Sequence, residues 1–331
     1  MGSGATSPER SRRVGIALCA VSACGFGLMA IFATKAYDAG LGVTTVLATR
    51  FVLAAATFWA IVAVRRALAA RRASMPAPHS APPRRVVLGA LALGAGYTVQ
   101  SGCFFSALRH IDASLTSLLL YTFPVLVCVG AIALGREHFE PWKAAALTLA
   151  TAGTALVLLG GGSGGLQATG VVLALGAAVA YSVYLLVADE IIGRIDPWLL
   201  SALIATSAAV VLVTTGAASG ALELADGAGM LWIVAIALLS TVLPMGTLLL
   251  GMARVGASTG AIVSTIEPVV TVSLAVLLLG DALGPAQLLG GALVLGAVLA
   301  LQSRRATVSR DGAPLEARGP AAVGAAASEA A

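Results

Sequence analysis

The residue best placed to do chemistry is a single carboxylate inside an apolar stretch. Residues Ser258–Leu279 form 22 consecutive residues in which Glu267 is the one charged side chain. As a helix, this stretch would cross the roughly 30 Å hydrocarbon core of a bilayer and place Glu267 near its middle. Pro268 follows directly and removes a backbone donor at the same depth. A costly charge beside a helix break is typical of a substrate or coupling site, and Glu267 could exchange a proton there.

A second charge, Arg50, is the eighth residue of the apolar stretch Val43–Val64. Because a guanidinium stays protonated, it needs a partner, a water-filled cavity or an anionic ligand. It could clamp a substrate carboxylate, or it could be a structural residue that snorkels to the membrane surface. Pairing with Glu267 is undetermined. A structural role is open for Glu267 too, in which a neighbouring helix hydrogen-bonds the carboxyl and Pro268 only bends the chain.

Further polar side chains in apolar stretches are candidates for a pocket that grips amphipathic metabolites. They are Tyr97, Gln100, Tyr121, Tyr181 and Tyr184. Tyr97 and Gln100 lie too deep for an interfacial aromatic belt, whereas for Tyr181 and Tyr184 the belt is an equally open interpretation. Pro124, Pro244 and Pro268 are predicted helix breaks.

The composition indicates which elements must hold these residues. Hydrophobic residues make up 59% of the 331, charged residues 11%, and the mean hydropathy is +0.96. No soluble fold hides that much apolar surface, so we expect an all-α integral membrane protein. The net charge of +5 does not indicate nucleic-acid binding, because the basic residues lie in loops and tails. We expect no cofactor and no metal site.

Apolar stretches separated by charged or glycine-rich segments predict ten transmembrane helices. A charge-free run, residues 144–188, is too long for one helix and is divided by the glycine loop 160–165. Seventeen of the 20 Lys and Arg residues fall on one side of the ten-helix arrangement, including six in the loop 65–85. The positive-inside rule therefore predicts that both termini are cytoplasmic. The abundance of Ala, Gly and Arg indicates a GC-rich bacterial genome, so we expect the membrane to be a bacterial cytoplasmic membrane.

Shifting the chain by 144 residues reveals an internal repeat. Ala113–Ser114 falls on Ala257–Ser258, and Pro124 on Pro268. A five-helix unit that repeats must enter the membrane in the opposite sense, so the pattern predicts a 5+5 inverted repeat with a mid-membrane site, as in secondary transporters. The predicted divisions are a cytoplasmic N-terminal tail (1–13), two five-helix repeats (14–167 and 168–303) and a disordered cytoplasmic tail (304–331).

The sequence resembles the EamA-type transporters of the drug/metabolite transporter superfamily over residues 14–303. The resemblance is carried by Ala113–Ser114, Pro124, Leu134–Glu137, Ala257–Ser258, Glu267–Pro268, Leu279–Asp281, Gln287 and Gly290–Gly291. It implies alternating access and, in most members, efflux of small metabolites or amino acids. Two positions depart from the pattern. Asp281 stands where the family often has Glu, and Phe123 stands before the first-repeat proline, so any carboxylate role is one-sided.

These observations predict a secondary transporter, with a proton as a candidate coupling ion. A passive channel on the same scaffold is one alternative. An intramembrane enzyme is the other, although no paired catalytic set is evident around Glu267. Small residues repeat every four positions at Ala292, Gly296 and Ala300, and Ala286 and Gly290 extend the stripe on a neighbouring row. This stripe favours close helix packing, either inside the protein, which we consider the first interpretation, or in a homodimer through the tenth helix.

Overall fold

The protein is a bundle of α-helices. The computed structural model describes residues 8–72, 82–136, 140–160, 167–188, 191, 194–223 and 226–311. The predicted glycine loop after residue 160, the middle of the basic loop (73–81) and the tail beyond residue 311 lie outside these ranges.

Within the described residues the chain forms twelve α-helices and one π-helical segment. The helices are α1 (Pro8–Asp38), α2 (Val43–Arg72), α3 (Arg84–Ala107), α4 (Ala113–Leu120), α5 (Phe123–Ala133), α6 (Pro141–Gly160), α7 (Ala168–Ala188), α8 (Pro197–Ala218), α9 (Gly227–Ala237), α10 (Leu243–Ser264), α11 (Ile266–Leu279) and α12 (Pro285–Asp311), and the π-helical segment is Leu238–Val242.

Eight helical stretches are long and apolar enough to cross a bilayer, and two shorter apolar helices, Ile266–Leu279 and Pro285–Ala300, complete the set. We number these spans one to ten. α4 and α5 together form span four, α9 to the first part of α10 form span eight, and the end of α10 with α11 forms span nine. The predicted ten-helix membrane fold is confirmed.

Spans four and nine are broken at equivalent positions. The helical pattern is interrupted at Tyr121–Thr122 in span four and at Thr265 in span nine, which are related by the 144-residue shift. Pro124 and Pro268 follow these breaks three residues later. Each proline has no N–H for the carbonyl four residues before it, and its ring crowds that carbonyl, so the helix cannot continue undisturbed.

The break predicted at Pro244 takes another form. The π-helical segment Leu238–Val242 precedes the proline, and α10 then begins at Leu243. The hydroxyl of Thr241 donates to the carbonyl of Ile236, five residues earlier, at 2.9 Å. Such segments place an extra residue in a turn and occur frequently at functional sites. Here the π-helical segment turns the side chain of Thr241 toward the interior of the bundle.

The helices pack as an inverted repeat. Spans two and seven form one pair and spans five and ten another, while span one packs on spans eight and nine as span six packs on spans three and four. If each span of the first repeat is exchanged with its counterpart in the second, so that span one becomes span six and span two becomes span seven, the same pairs of spans remain in contact. The backbone N–H of Ser114, at the start of span four, donates to Asp281 Oδ2, just after span nine, at 2.9 Å. Spans four and nine are therefore antiparallel.

The turn between spans eight and nine differs from its prediction as a loop at residues 254–257. The backbone is helical throughout α10. Met252 nevertheless lies against Gly260. Since a straight helix would separate these residues by about 12 Å, α10 is sharply bent between them, and the predicted turn lies within this bend.

Two helices also extend into predicted tails. α1 begins at Pro8, inside the predicted tail 1–13, and α12 runs to Asp311, past the predicted start of disorder at residue 304. Arginine and alanine are good helix formers, so a helix that has begun inside the membrane continues into the basic flank.

The small residues of span ten divide between the two interpretations, because Ala292, Gly296 and Ala300 do not pack inside the protein whereas Ala286 and Gly290 do. Ala292 and Ala300 are exposed, and Gly296 faces open space. The predicted internal packing is found in the neighbouring row, where Gly290 packs on the backbone of Gly153 and Ala286 lies against Gly160. A homodimer through the outward stripe stays a prediction.

Candidate functional site

Glu267 lies beside the break in span nine, and span four supplies its partner. The hydroxyl oxygen of Tyr121 is 3.2 Å from Glu267 Oε2 and 2.9 Å from the carbonyl oxygen of Ser264. Ser264 is four residues before Pro268, so its carbonyl is the one that the proline leaves without a helical donor. Tyr121 therefore satisfies, from the opposite half of the repeat, the backbone acceptor that the sequence predicts to be free.

The hydrogen-bond pattern around Tyr121 depends on the proton of Glu267, because a phenol carries only one hydrogen. If Glu267 is protonated, it donates to the Tyr121 oxygen while Tyr121 donates to Ser264, and all three groups are satisfied. If Glu267 is ionised, Tyr121 must donate to it, and the Ser264 carbonyl loses its donor. Proton uptake at Glu267 is thereby linked to hydrogen bonding at the helix break.

Arg50 is only 1% exposed and lies between spans three and eight. Its Nε donates to the hydroxyl of Thr241, in the π-helical segment of span eight, at 3.0 Å. Its guanidinium carbon lies 4.9 Å from the ring centre of Phe51 and 5.1 Å from that of Phe105. Tyr97 is also close enough to interact electrostatically. Aromatic faces stabilise the cation but do not neutralise it.

The described residues supply no carboxylate to Arg50. Its Nη1 is buried and has no hydrogen-bond partner among them. Arg50 and Glu267 do not form an ion pair, and the burial of Arg50 excludes the snorkelling alternative. A buried guanidinium with a free donor is costly unless an anionic group completes it, so the arrangement can bind a carboxylate.

A row of aromatic rings connects the two charges. Successive ring centres are 4.6 to 6.0 Å apart, the usual spacing of interacting aromatic pairs. In order, the rings are Phe51, Tyr97, Tyr184, Tyr181, Phe123 and Tyr121. Arg50 lies over the first ring, and Glu267 is hydrogen-bonded to the last. The rings come from spans two, three, four and six, so both repeats contribute to one continuous wall.

Six of the seven predicted side chains thus meet along one row. The exception is Gln100, which is buried on α3 and accepts a hydrogen bond from the neighbouring Ser101 hydroxyl at 3.3 Å. Sequence reasoning missed Thr241, Phe51 and Phe123. Phe123 could have been found, because the 144-residue shift places it on Glu267. Nothing in the sequence marks Thr241, since only the π-helical segment turns it toward Arg50.

A separate acidic pair lies at the start of span four, outside the membrane-spanning segments. Asp281 accepts the N–H of Ser114, and Asp112 lies nearby. Partial burial raises the pKa of Asp112, and the negative charge of Asp281 raises it further. The pair connects the two repeats and is not part of the aromatic row. The part of the chain described contains no cluster of His, Cys, Asp and Glu that could hold a metal ion.

A model of the EamA-like transporter family matches residues 13–159 and again residues 168–302. The chain belongs to the EamA-like transporter family. This family is part of the drug/metabolite transporter superfamily, so the resemblance seen in the sequence is confirmed and the protein is a multi-pass membrane transporter of small solutes.

Comparison with solved structures supports the same fold. A chain described only as "Crystal structure of protein" is similar to this one with a TM-score of 0.61 and 20% sequence identity, over 88% of this chain and 98% of the other. At that identity the likeness concerns the fold alone. Comparison with curated proteins gives no match.

Proposed function

We propose that this EamA-like transporter is a secondary transporter that moves small amphipathic carboxylates, amino acids or related metabolites, out of a bacterial cell by alternating access. Both termini lie in the cytoplasm. The family membership supports transport of small solutes. Efflux and the cytoplasmic membrane rest on the family resemblance and on the asymmetric distribution of basic residues.

The observation that carries the proposal is the free Nη1 of buried Arg50 at one end of the aromatic row. A substrate carboxylate accepts from that nitrogen, and its apolar part lies along the rings of Phe51 and Tyr97. Charge-assisted hydrogen bonds of this kind are roughly twice as strong as neutral ones, and the planar guanidinium favours a planar carboxylate.

The other end of the row couples transport to a proton. Glu267 exchanges a proton with the cavity, and the hydrogen bond from Tyr121 to Ser264 forms or breaks with it. The break in span nine is then stabilised by the hydrogen bond from Tyr121 to Ser264 when Glu267 is protonated, and it loses this hydrogen bond when Glu267 is ionised. Because spans four and nine belong to opposite repeats, this change acts between the two halves that rearrange relative to each other in alternating access.

Counterflow in proteoliposomes tests the proposal. The purified protein should exchange labelled carboxylate for internal unlabelled carboxylate with saturation, as expected of a carrier. A passive channel would show linear flux without counterflow and would contradict the proposed mechanism.

Substitution of Arg50 tests the binding role. Arg50→Lys keeps the charge and loses the planar fork, so the affinity for a carboxylate should fall tenfold or more, on the order of one charge-assisted hydrogen bond. The matched control is Arg109→Lys, since Arg109 lies over the ring of Tyr37 at the end of α1. If the wild type binds a carboxylate and its decarboxylated analogue with equal affinity, the proposal that Arg50 binds the substrate carboxylate is wrong.

A further inference from the structure

A tyrosine at the end of span one joins the two groups of spans that the inverted repeat exchanges. Spans one, eight and nine form the first group, and spans three, four and six form the second. Tyr37 is the second-last residue of α1, and its hydroxyl donates to the carbonyl oxygen of Phe105 on α3 at 2.9 Å. The hydrogen bond lies at the outer ends of the spans in the proposed orientation.

Phe105 has a free acceptor because α3 ends just beyond it. In a continuing helix the N–H of Arg109 would donate to Phe105, but it donates to the carbonyl of Ser106 at 3.1 Å. Carbonyls in the last turn of a helix need partners from elsewhere, and Tyr37 supplies one. The guanidinium carbon of Arg109 lies 5.5 Å from the ring centre of Tyr37, which favours the position of the ring.

This contact lies next to Arg50, on its outer side. Arg50 is seven residues after Val43, where α2 begins, or about 10 Å along the helix from its outer end. The ring of Phe105 covers the guanidinium at 5.1 Å, and the Tyr37 phenol is close enough to interact with it electrostatically. Since Arg50 is buried, the short route from it to the outside is closed, and Tyr37 and Phe105 lie on that route.

The other repeat has no equivalent of Tyr37. The predicted repeats begin at residues 14 and 168, so Tyr37 corresponds to Ile191, which has no hydroxyl. Ile191 lies against Gly89 of span three, within its own group of spans. The closure by a hydrogen bond is therefore specific to the outer side and does not follow from the duplication.

A second hydrogen bond joins the same two groups on the same side. It runs from the backbone N–H of Ser114, at the start of span four, to Asp281, just after span nine. Because both bonds link groups that exchange places under the inverted repeat, both must lengthen or break if the groups separate at their outer ends. Tyr37 is the member of this pair that adjoins the cation.

Resting on the function proposed above, we propose that Tyr37 is the outer gate of the transporter. Its hydrogen bond to Phe105 holds the two groups of spans together while Arg50 is closed to the outside, and the bond breaks when the groups separate and the carboxylate leaves. The hydroxyl released from Phe105 is then a donor for the departing carboxylate, so opening the gate does not leave the phenol without a partner.

The test is the rate at which a buried thiol reacts from outside. Val46→Cys is introduced after the four native cysteines are replaced by alanine. Val46 is 0% exposed and lies one helical turn outward of Arg50 on the same face. A charged, membrane-impermeant methanethiosulfonate is added to right-side-out membrane vesicles. Adding Tyr37→Phe should speed labelling about fivefold, the population shift expected from the loss of one hydrogen bond.

Thr34→Val is the matched control. Thr34 lies one turn before Tyr37, and its hydroxyl bonds the carbonyl of Ala30 in the same helix at 3.0 Å. This variant should label at the parent rate. A second reporter, Val294→Cys in span ten, is 1% exposed and should stay unlabelled with or without Tyr37→Phe.

The outcomes separate the gate from general stability and from the proposed function. If Tyr37→Phe labels at the parent rate, or if it speeds labelling at both reporters, Tyr37 is not a gate and the inference is wrong. If it speeds labelling at Val46→Cys alone while counterflow of carboxylate fails, the outer closure stands and the carrier mechanism is wrong.

Discussion

Tyr121 has one hydroxyl hydrogen and two acceptors within reach. It lies 2.9 Å from the Ser264 carbonyl and 3.2 Å from Glu267. A protonated Glu267 resolves this competition, and an ionised Glu267 does not. At the scale of single residues, the proposed coupling is therefore a question of which group donates and which accepts.

Glu267→Gln mimics the protonated state permanently, since the amide donates to Tyr121 without titrating. The variant should fold normally, retain substrate exchange and lose accumulation driven by an imposed pH gradient. Uphill transport and exchange are measured side by side in vesicles at several pH values. Glu223→Gln is the control, because Glu223 bonds the N–H of Gly42 in a loop outside the spans. Uphill transport at the wild-type rate would make Glu267 a structural residue.

Tyr121→Phe removes the donor on which both acceptors depend. It should lower the free energy of unfolding by about 1–3 kcal/mol, because a buried carbonyl and carboxyl are left without a partner. Thermal unfolding in detergent measures the change. Tyr184→Phe is the matched control, since Tyr184 meets its neighbours in the row through its ring. Equal melting temperatures for the two variants would contradict the role given to the Tyr121 hydroxyl.

At the scale of elements, the two broken spans are a property of the repeat. Spans four and nine share a proline at the same position and a break just before it, and they cross near the middle of the bundle. The proline supplies the break, while the opposite span supplies the hydrogen bond that makes the break tolerable inside a membrane. A helix break that is stabilised by a hydrogen bond from another span can form only where the two spans are in contact.

Pro268→Ala restores the N–H that bonds the Ser264 carbonyl within the helix. We expect a higher melting temperature, because the helix becomes continuous, and a slower turnover, because the break no longer responds to Tyr121 and Glu267. Pro285→Ala is the control. Pro285 occupies the first turn of α12, where a missing N–H costs nothing. A more stable protein with unchanged turnover would show that the break is not used in transport.

At the scale of the whole molecule, the inverted repeat requires the halves to differ in orientation while the ten spans return both termini to one side. Seventeen of the 20 basic residues lie on that side, and the positive-inside rule assigns it to the cytoplasm. The direction of transport in the proposed function depends on this assignment.

A topology reporter checks the orientation. Alkaline phosphatase, which is active only outside the cytoplasm, should be inactive when fused after residue 303 and active when fused after His110, between spans three and four. The reverse pattern would invert the orientation. Activity at both sites would contradict the odd number of crossings, seven, predicted between residues 110 and 303.

The fold class, the number of spans and the repeat could be predicted from the amino-acid sequence alone. These follow from local patterns, because a bilayer demands about twenty apolar residues per helix and a duplicated proline is visible as a shift. It also singled out Glu267 and Arg50, since a charge in an apolar span is costly wherever the span packs.

Only the tertiary structure decided which side chains meet. Thr241 contacts Arg50 because a π-helical segment rotates it inward, and Tyr121 contacts Ser264 because two spans from opposite repeats cross at their breaks. The aromatic row likewise depends on relative helix rotation and distance. Hydropathy carries no information on either, because in a membrane both the packed and the lipid-facing surfaces of a helix are apolar.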